Sequence, residues 1–136
     1  MIKLRYELYW KEIFLERGNV LNEITFETIK STIQNKKVIF WGASLLLECI
    51  LKFEKQILPN VLGIVDNNPQ KWGKMLYGYK IISPKEINKL EVDAVLITIT
   101  DKSSNFYKQL ILNIRKIAPN IEILPNIFHS VLKEEI

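Results

Sequence analysis

Short runs of apolar residues recur along the chain, and stretches with helical spacing separate them. Two of these runs, 38–41 and 61–65, contain no polar side chain. An apolar run without alternation is typical of a strand that is buried on both faces, in the middle of a parallel sheet. We therefore predict two central strands there, and three further strands at 79–82, 93–98 and 121–124.

Apolar residues at three- and four-residue spacing predict the helices between these strands. One helix is predicted over 45–57 and a longer one over 104–117, and a Pro-Asn pair follows each and ends it. Ser83-Pro84 begins a short helix, because proline at the first turn sacrifices no hydrogen bond. The segment 67–78 is rich in turn-forming residues and is predicted to be an irregular crossover.

Strands that alternate with helices predict a doubly wound α/β fold. The expected sheet is mainly parallel, five-stranded and Rossmann-like, and right-handed crossovers favour the strand order 3-2-1-4-5. Residues 37–124 would form this core, preceded by N-terminal helices over 1–35 and followed by a tail over 125–136. Because the sequence has no repeat and no long linker, we predict a single domain over 1–136.

An N-terminal helical pair is predicted before the sheet. Its first helix covers 2–17 and ends at Gly18-Asn19, and its second begins at an Asn22 cap. The pair either covers the sheet or provides a surface for a homodimer or a partner enzyme, because aromatic residues are enriched at interfaces. The aromatic residues in question are Tyr6, Tyr9 and Trp10, and the second helix has a stripe of Ile24, Thr28, Ile29 and Ile33.

Composition narrows the classes of partner. The net charge of +4 is modest, and the lysines are spread among acidic residues. Because binding to a nucleic-acid backbone requires a concentrated basic face, we expect no nucleic-acid partner. No apolar run reaches the roughly 18 residues of a membrane span, and the charged N-terminus is unlike a secretory signal. A single cysteine, Cys49, excludes an intramolecular disulfide, so we expect a cytoplasmic protein.

In a doubly wound sheet, ligands bind at the carboxyl ends of the strands, where the strand order reverses. There the first strand is followed by Gly42, Ala43, Ser44 and Leu45. The backbone amides and the Ser44 hydroxyl, at the positive end of the next helix, would bind a phosphate. Asp66 ends the second strand 24 residues after Gly42, near the usual position of a ribose-binding acid. Polar candidates for a sugar or second phosphate follow the fourth strand: Thr98, Thr100, Asp101, Ser103 and Ser104.

The turn departs from the dinucleotide-binding pattern. The segment GASLLLE contains one glycine, where the full fingerprint has three. Leu45 and Leu47 stand where that pattern favours bare backbone, so they are expected to obstruct a tightly bound dinucleotide. The alternative gives the same residues structural roles, with Gly42 as a turn glycine, Ser44 as a helix cap and Asp66 as the cap of the turn that follows it.

Three motifs give the segment 37–124 a resemblance to a known family. They are DNNP from Asp66, KWGK from Lys71 and GYKIISPKEI from Gly78. With the strand–GAS–helix–strand unit before them, they resemble Rossmann-like accessory domains of bacterial surface-polysaccharide biosynthesis. Such domains precede sugar acyltransferases and nucleotide-sugar epimerases or dehydratases, or accompany glycosyltransferases and methyltransferases. The resemblance implies a bound nucleotide or nucleotide-sugar that is contacted by Gly42, Ala43, Ser44, Asp66 and Asn67.

No catalytic residue and no metal ligand is assigned. His129 is the only histidine, Cys49 has the setting of a core residue, and no acidic cluster has metal-ligand spacing. Trp72 would either cover a base or sugar or pack on the sheet edge. We therefore expect an accessory module that binds a nucleotide, a nucleotide-sugar or NAD(P) without a reaction of its own. A ligand-free scaffold is the alternative, and a fragment of an NAD(P)-dependent oxidoreductase or epimerase is a third, although no Tyr-x-x-x-Lys pair is present.

Overall fold

The central sheet lies between helices on both of its faces. A computed structural model describes residues 18–53, 56–99, 104–125 and 127 of the chain. Its helices are α1 (Gly18–Ile33), α2 (Leu45–Phe53) and α3 (Ser104–Ile117), with 3₁₀ turns at Pro69–Lys71 and Pro84–Lys89. Its strands are β1 (Val38–Trp41), β2 (Val61–Val65), β3 (Met75–Leu76), β4 (Tyr79–Ile82), β5 (Ala94–Ile97) and β6 (Glu122–Ile123).

The six strands lie in the order β3-β4-β2-β1-β5-β6. Every neighbouring pair is parallel except β3 with β4. This confirms the doubly wound, mainly parallel fold and the order predicted for five of the strands. Because β1, β2 and β5 are parallel, their carboxyl ends meet at one edge of the sheet, and the reversal of order between β1 and β5 opens a crevice there.

The two central strands, β1 and β5, are fully buried along their length. Successive side chains of β1 enter different cores, with Val38 and Phe40 on the side of α1 and α2. Ile39 and Trp41 enter the second core, on the side of α3. The unbroken apolar run of β1 is therefore explained by burial on both faces.

A bulge in β2 interrupts this alternation. Val38 of β1 is paired with Val61, whereas the next residue, Ile39, is paired with Gly63. Leu62 is therefore the extra residue of the bulge, and its side chain is 38% exposed. The bulge allows a leucine on the surface of an otherwise buried strand.

The segment 67–78 is more regular than the prediction of an irregular crossover. A 3₁₀ turn at Pro69–Lys71 is capped by the Asn68 side chain and leads to the edge strand β3. Tyr77 and Gly78, with φ of +46° and +95°, connect β3 to β4. Two positive φ angles in a two-residue connection are typical of a type I′ hairpin, and this hairpin adds the sixth, antiparallel strand.

Helix α1 corrects the predicted boundary between the N-terminal helices. Asn22 lies inside the helix rather than at its cap, and the helix already includes Gly18 and Asn19. A glycine costs a helix only about 1 kcal/mol, so Gly18 and Asn19 are tolerated in a helix that buries Phe26 and Ile29 in the core it shares with α2. The predicted helix over 2–17 and its aromatic residues lie outside the described residues.

The backbone carbonyl groups at the end of α1 have hydrogen-bond partners. Asn35 has a φ of +50°, which suits a helix C-terminus. The Asn60 amide donates hydrogen bonds to Ile33 O at 3.3 Å and to Lys36 O at 2.9 Å. Asn60 thus ties the helix to the turn before β2.

The remaining helices lie near their predicted positions. Helix α3 has the predicted bounds and buries Leu110 and Ile114, and Ser83 caps the short helix that begins at Pro84. The described part of α2 ends at Phe53, and residues 56–58 are not helical, so the prediction of a helix to 57 was too long. Within the described part of the chain, no helix combines the length and apolarity that crossing a membrane requires.

Candidate functional site

The turn after β1 is built around Gly42. Its φ is +113°, and a Cβ added there would overlap the Ile99 side chain. Its N–H donates a hydrogen bond to Val65 O at 2.6 Å. Because only glycine accepts both the positive φ and the close approach, the predicted turn glycine has a firm structural basis.

Ser44 is the cap of α2. Its Oγ accepts the N–H of Leu47 at 3.2 Å and donates to Thr98 O at 2.6 Å. The hydroxyl therefore satisfies one of the free amides at the helix start and connects the turn to the end of β5. Because the Ser44 hydroxyl donates its proton to Thr98 O, this side chain holds the turn in position.

The Asp66 carboxylate joins the ends of β1 and β2. Its Oδ2 accepts the N–H of Ala43 at 2.9 Å, and its Oδ1 accepts the N–H of Asn68 at 2.8 Å. Lys71 Nζ lies 3.9 Å from the same Oδ2, and the Asp66 side chain is 14% exposed. A carboxylate offers about four acceptor positions, so two bonds orient the group and leave capacity for a ligand.

Lys71 and Trp72 secure this corner. Lys71 Nζ donates to Ala43 O at 3.3 Å, and the Trp72 indole N–H donates to Asp66 O at 2.6 Å. The Trp72 side chain is 39% exposed. Lys71 was missed as a site residue in the sequence, where only its place in the KWGK motif marked it.

The structure places Thr98 beneath the turn. It is fully buried, and its hydroxyl donates to the carbonyl oxygens of Trp41 and Gly42. We expected this hydroxyl to contact a sugar or phosphate. Because it is buried and bonded within the protein, it instead holds the turn in place. Thr100 and Ser103 lie outside the described residues.

Two cavities open beside Asp66. The first, the aromatic cavity, has a volume of about 430 Å³ and is lined by Trp41, Gly42, Asp66, Asn67, Ile99 and Phe106. The second, the lysine cavity, has a volume of about 580 Å³ and is lined by Leu45, Glu48, Gln70, Lys71, Lys74 and Met75, among others. Asn68 lines both, so the two cavities flank the corner formed by Asp66 and its neighbours.

The leucines after the turn do not close these cavities. Leu47 is fully buried in the core under α2. Leu45 is half-buried, packs against the same core and forms part of the wall of the lysine cavity. Neither leucine lines the aromatic cavity, whereas Leu45 borders the lysine cavity, so the expected obstruction of a tightly bound dinucleotide stays a prediction.

The fold and the turn correspond to a known family. Residues 34–124 match the family model described as C2185-like, N-terminal. The chain belongs to the C2185-like N-terminal family. The matched segment begins just before β1 and ends just after β6, so it contains the whole sheet and every described residue of the two cavities.

Solved structures that are similar to this C2185-like domain include an enzyme and a repressor. The UDP-D-quinovosamine 4-dehydrogenase from Vibrio fischeri is 25% identical, with a TM-score of 0.52, over 73% of this chain and 85% of that chain. RSP, a Rex-family repressor, is 15% identical with a TM-score of 0.45, over 79% of this chain and 61% of that chain. No curated protein matches the sequence.

The C2185-like domain brings the predicted phosphate turn and Asp66 together and adds unpredicted neighbours. Asn67 joins Gly42 and Asp66 in the wall of the aromatic cavity, as expected for residues at this edge. Ile99 and Phe106 complete that wall and were not predicted as site residues, since an apolar residue after a strand or in a helix gives no specific signal of a binding site. Among the described residues, no group of three His, Cys, Asp or Glu side chains could hold a metal ion.

Proposed function

We propose that this domain binds a nucleotide or nucleotide-sugar and acts as an accessory module in bacterial polysaccharide or other glycan biosynthesis, in the cytoplasm. The observation that carries the proposal is the Asp66 carboxylate, which is held by Ala43 N–H at 2.9 Å beside an open cavity. The similar structure from Vibrio fischeri is named for a UDP-linked sugar, which supports a ligand of this class.

Asp66 is suited to bind a ribose. The two hydroxyls of a ribose are donors, and the carboxylate keeps about two acceptor positions after its bonds to Ala43 and Asn68. Its orientation is set before binding, so little conformational entropy would be lost. This favours a ribonucleotide over a ligand without a neighbouring pair of hydroxyls.

The aromatic cavity is suited to hold the base. Ile99 and Phe106 provide apolar contacts, and the Asn67 amide provides one donor and one acceptor group. A volume of about 430 Å³ falls in the usual range of roughly 300–1,000 Å³ for small-molecule sites. The first phosphate would lie at the start of α2, where the helix dipole favours negative charge.

A thermal-shift screen tests the proposal. The ligands would be NAD, NADP, UDP, UDP-sugars, GDP- and CDP-sugars, S-adenosylmethionine and coenzyme A. A ligand at 100 times its dissociation constant stabilises the folded state by about 2.7 kcal/mol, which is a shift of several degrees in a domain of this size. We expect nucleotides of one class to raise the melting temperature, and Asp66→Ala to abolish that rise.

Asp93→Ala is the matched control. Asp93 also accepts a backbone N–H, from Lys37 at 2.9 Å, but it lies at the opposite end of the sheet. It should lower the melting temperature of the free protein and leave the ligand-induced rise intact. A rise that persists in Asp66→Ala would contradict the proposed ribose contact.

A ligand-free scaffold is the second candidate. Ile57, Met75 and Tyr77, near the β3 edge of the sheet, expose large parts of their apolar side chains, a pattern that favours contact with another protein. If a well-folded sample shows no shift with any of the nucleotides, this scaffold becomes the better proposal. Docking or dimerisation through the N-terminal helices stays a prediction.

A further inference from the structure

The two cavities beside Asp66 differ in chemistry. Ile99 and Phe106 give the aromatic cavity an apolar wall. The lysine cavity also has apolar lining residues, such as Leu45 and Met75, but it adds Lys71 and Lys74, with Glu48 as the one acidic residue among the described residues of its lining. A ligand with an apolar half and an anionic half would match this division.

The end of β5 offers little to an anion. The Thr98 hydroxyl is buried and donates to carbonyl oxygens of the turn. Ile99 lies directly against Gly42. Ile99 and Phe106 therefore present an apolar surface to the aromatic cavity, which suits the base and disfavours a second phosphate.

The other side of the turn adds the positive charge of two lysines to a partly apolar lining. Ala43 and Leu45, at the start of α2, line the lysine cavity, so the positive end of that helix opens into it. Lys71 is anchored to Ala43 O at 3.3 Å, and its ammonium group has further donors to offer. Among the described residues, Lys74 forms no ion pair.

Building on the proposed nucleotide binding, we propose that the ligand is a nucleoside diphosphate, free or linked to a sugar, whose second phosphate enters the lysine cavity. Lys71 and Lys74 would contact that phosphate, and the Gln70 and Asn68 amides would contact a sugar beyond it. This assigns the second half of the ligand to the β3 side of Asp66. A nucleoside monophosphate would leave the lysine cavity without its anion.

Isothermal titration calorimetry on the full chain tests this assignment. UMP would be compared with UDP, and AMP with ADP, at one fixed ionic strength. Of UDP and ADP, we expect the one that binds more tightly to have an affinity at least about tenfold higher than that of its monophosphate. A difference of about tenfold is what one charge-assisted hydrogen bond contributes. Lys74→Met should remove most of that difference and leave monophosphate binding unchanged, whereas Lys71→Met should weaken the binding of both ligands, and of the diphosphate more.

Lys80→Met is the matched control, because Lys80 is an exposed lysine of β4 outside the lining of the cavity. It should keep the full preference for the diphosphate. Lys71→Met also removes the bond to Ala43 O, so Lys74→Met, which leaves the turn intact, decides between a phosphate contact and a structural effect.

The outcomes separate this inference from the proposed function. Equal affinities for monophosphate and diphosphate, or a loss in Lys74→Met that is the same for both, would overturn the inference while nucleotide binding stands. If no nucleotide binds to a folded wild-type sample, the proposed function fails and the inference fails with it.

Discussion

Two glycines with positive φ differ in the space around them. Gly42, at φ +113°, faces the Ile99 side chain where a Cβ would be. Gly73, at φ +85°, has no atom within 4 Å of that position. Backbone strain thus applies at both positions, whereas steric overlap applies only at Gly42.

Gly42→Ala should lower the free energy of unfolding by about 2–4 kcal/mol, because left-handed strain of about 1–2 kcal/mol adds to the cost of overpacking against Ile99. Gly73→Ala should lower the free energy of unfolding only by the backbone strain, because a Cβ there meets no other atom. Urea denaturation of the two variants measures the difference. Equal losses at the two positions would show that the overlap with Ile99 relaxes without cost.

The Tyr79 hydroxyl is a buried acceptor. It accepts the N–H of Leu58 at 2.7 Å, and burial, only partly opposed by this hydrogen bond, raises the pKa of Tyr79 above its ordinary value of 10.0. Because the pKa is higher in the folded state, the stabilisation is complete below about pH 10. It is lost as the pH rises from there towards the pKa in the folded state.

Tyr79→Phe should therefore have two effects. At neutral pH it leaves the Leu58 N–H without an acceptor, which costs about 1–3 kcal/mol. The difference in unfolding free energy between wild type and Tyr79→Phe should shrink between pH 9 and pH 11, because only the wild type loses the stabilisation by the protonated Tyr79 hydroxyl. Chemical denaturation of both proteins at pH 9 and pH 11 measures this difference. If the difference in unfolding free energy is the same at the two pH values, the raised pKa of Tyr79 is contradicted.

At the scale of elements, the β3–β4 hairpin contains a mismatch between residue and backbone. Tyr77 has a φ of +46° in its two-residue turn. A type I′ turn favours asparagine followed by glycine, and only the glycine, Gly78, is present. The hairpin therefore forms because β3 adds to the sheet, despite an unfavourable turn residue.

Tyr77→Asn should raise the free energy of unfolding by about 0.5–1 kcal/mol, because asparagine accepts the left-handed conformation more easily. Tyr77→Ala serves as the control, since it removes the half-exposed ring without improving the turn. Thermal or urea unfolding compares the three proteins. A destabilised Tyr77→Asn would mean that the tyrosine ring makes contacts that outweigh the turn.

At the scale of the whole molecule, the site depends on the order of the strands. Asp66 follows β2 and meets the turn after β1 because these strands are parallel neighbours. The turn is held from the other side by residues after β5, which is also a parallel neighbour of β1. The binding experiments with Asp66→Ala and Lys74→Met therefore test surfaces that several elements form together.

Much of the fold was predictable from local pattern. The apolar run 38–41 indicated a strand buried on both faces, and the positions of five strands were sufficient to favour the observed order. The antiparallel β3 was missed because two residues carry almost no periodic signal. The boundary of α1 was wrong because a glycine lowers helix stability by only about 1 kcal/mol, so the local signal of Gly18 and Asn19 did not exclude them from the helix.

Hydrophobic periodicity and turn residues act locally, so they were enough to predict the kind of scaffold and to place Gly42, Ser44 and Asp66 at one edge of the sheet. How those groups are used depends on contacts between distant parts of the chain. Asp66 binds Ala43 across 23 residues and Ser44 binds Thr98 across 54, so these bonds depend on strand pairing. The same pairing buried the Thr98 hydroxyl and brought the Lys71 ammonium to the turn, which no local pattern encodes.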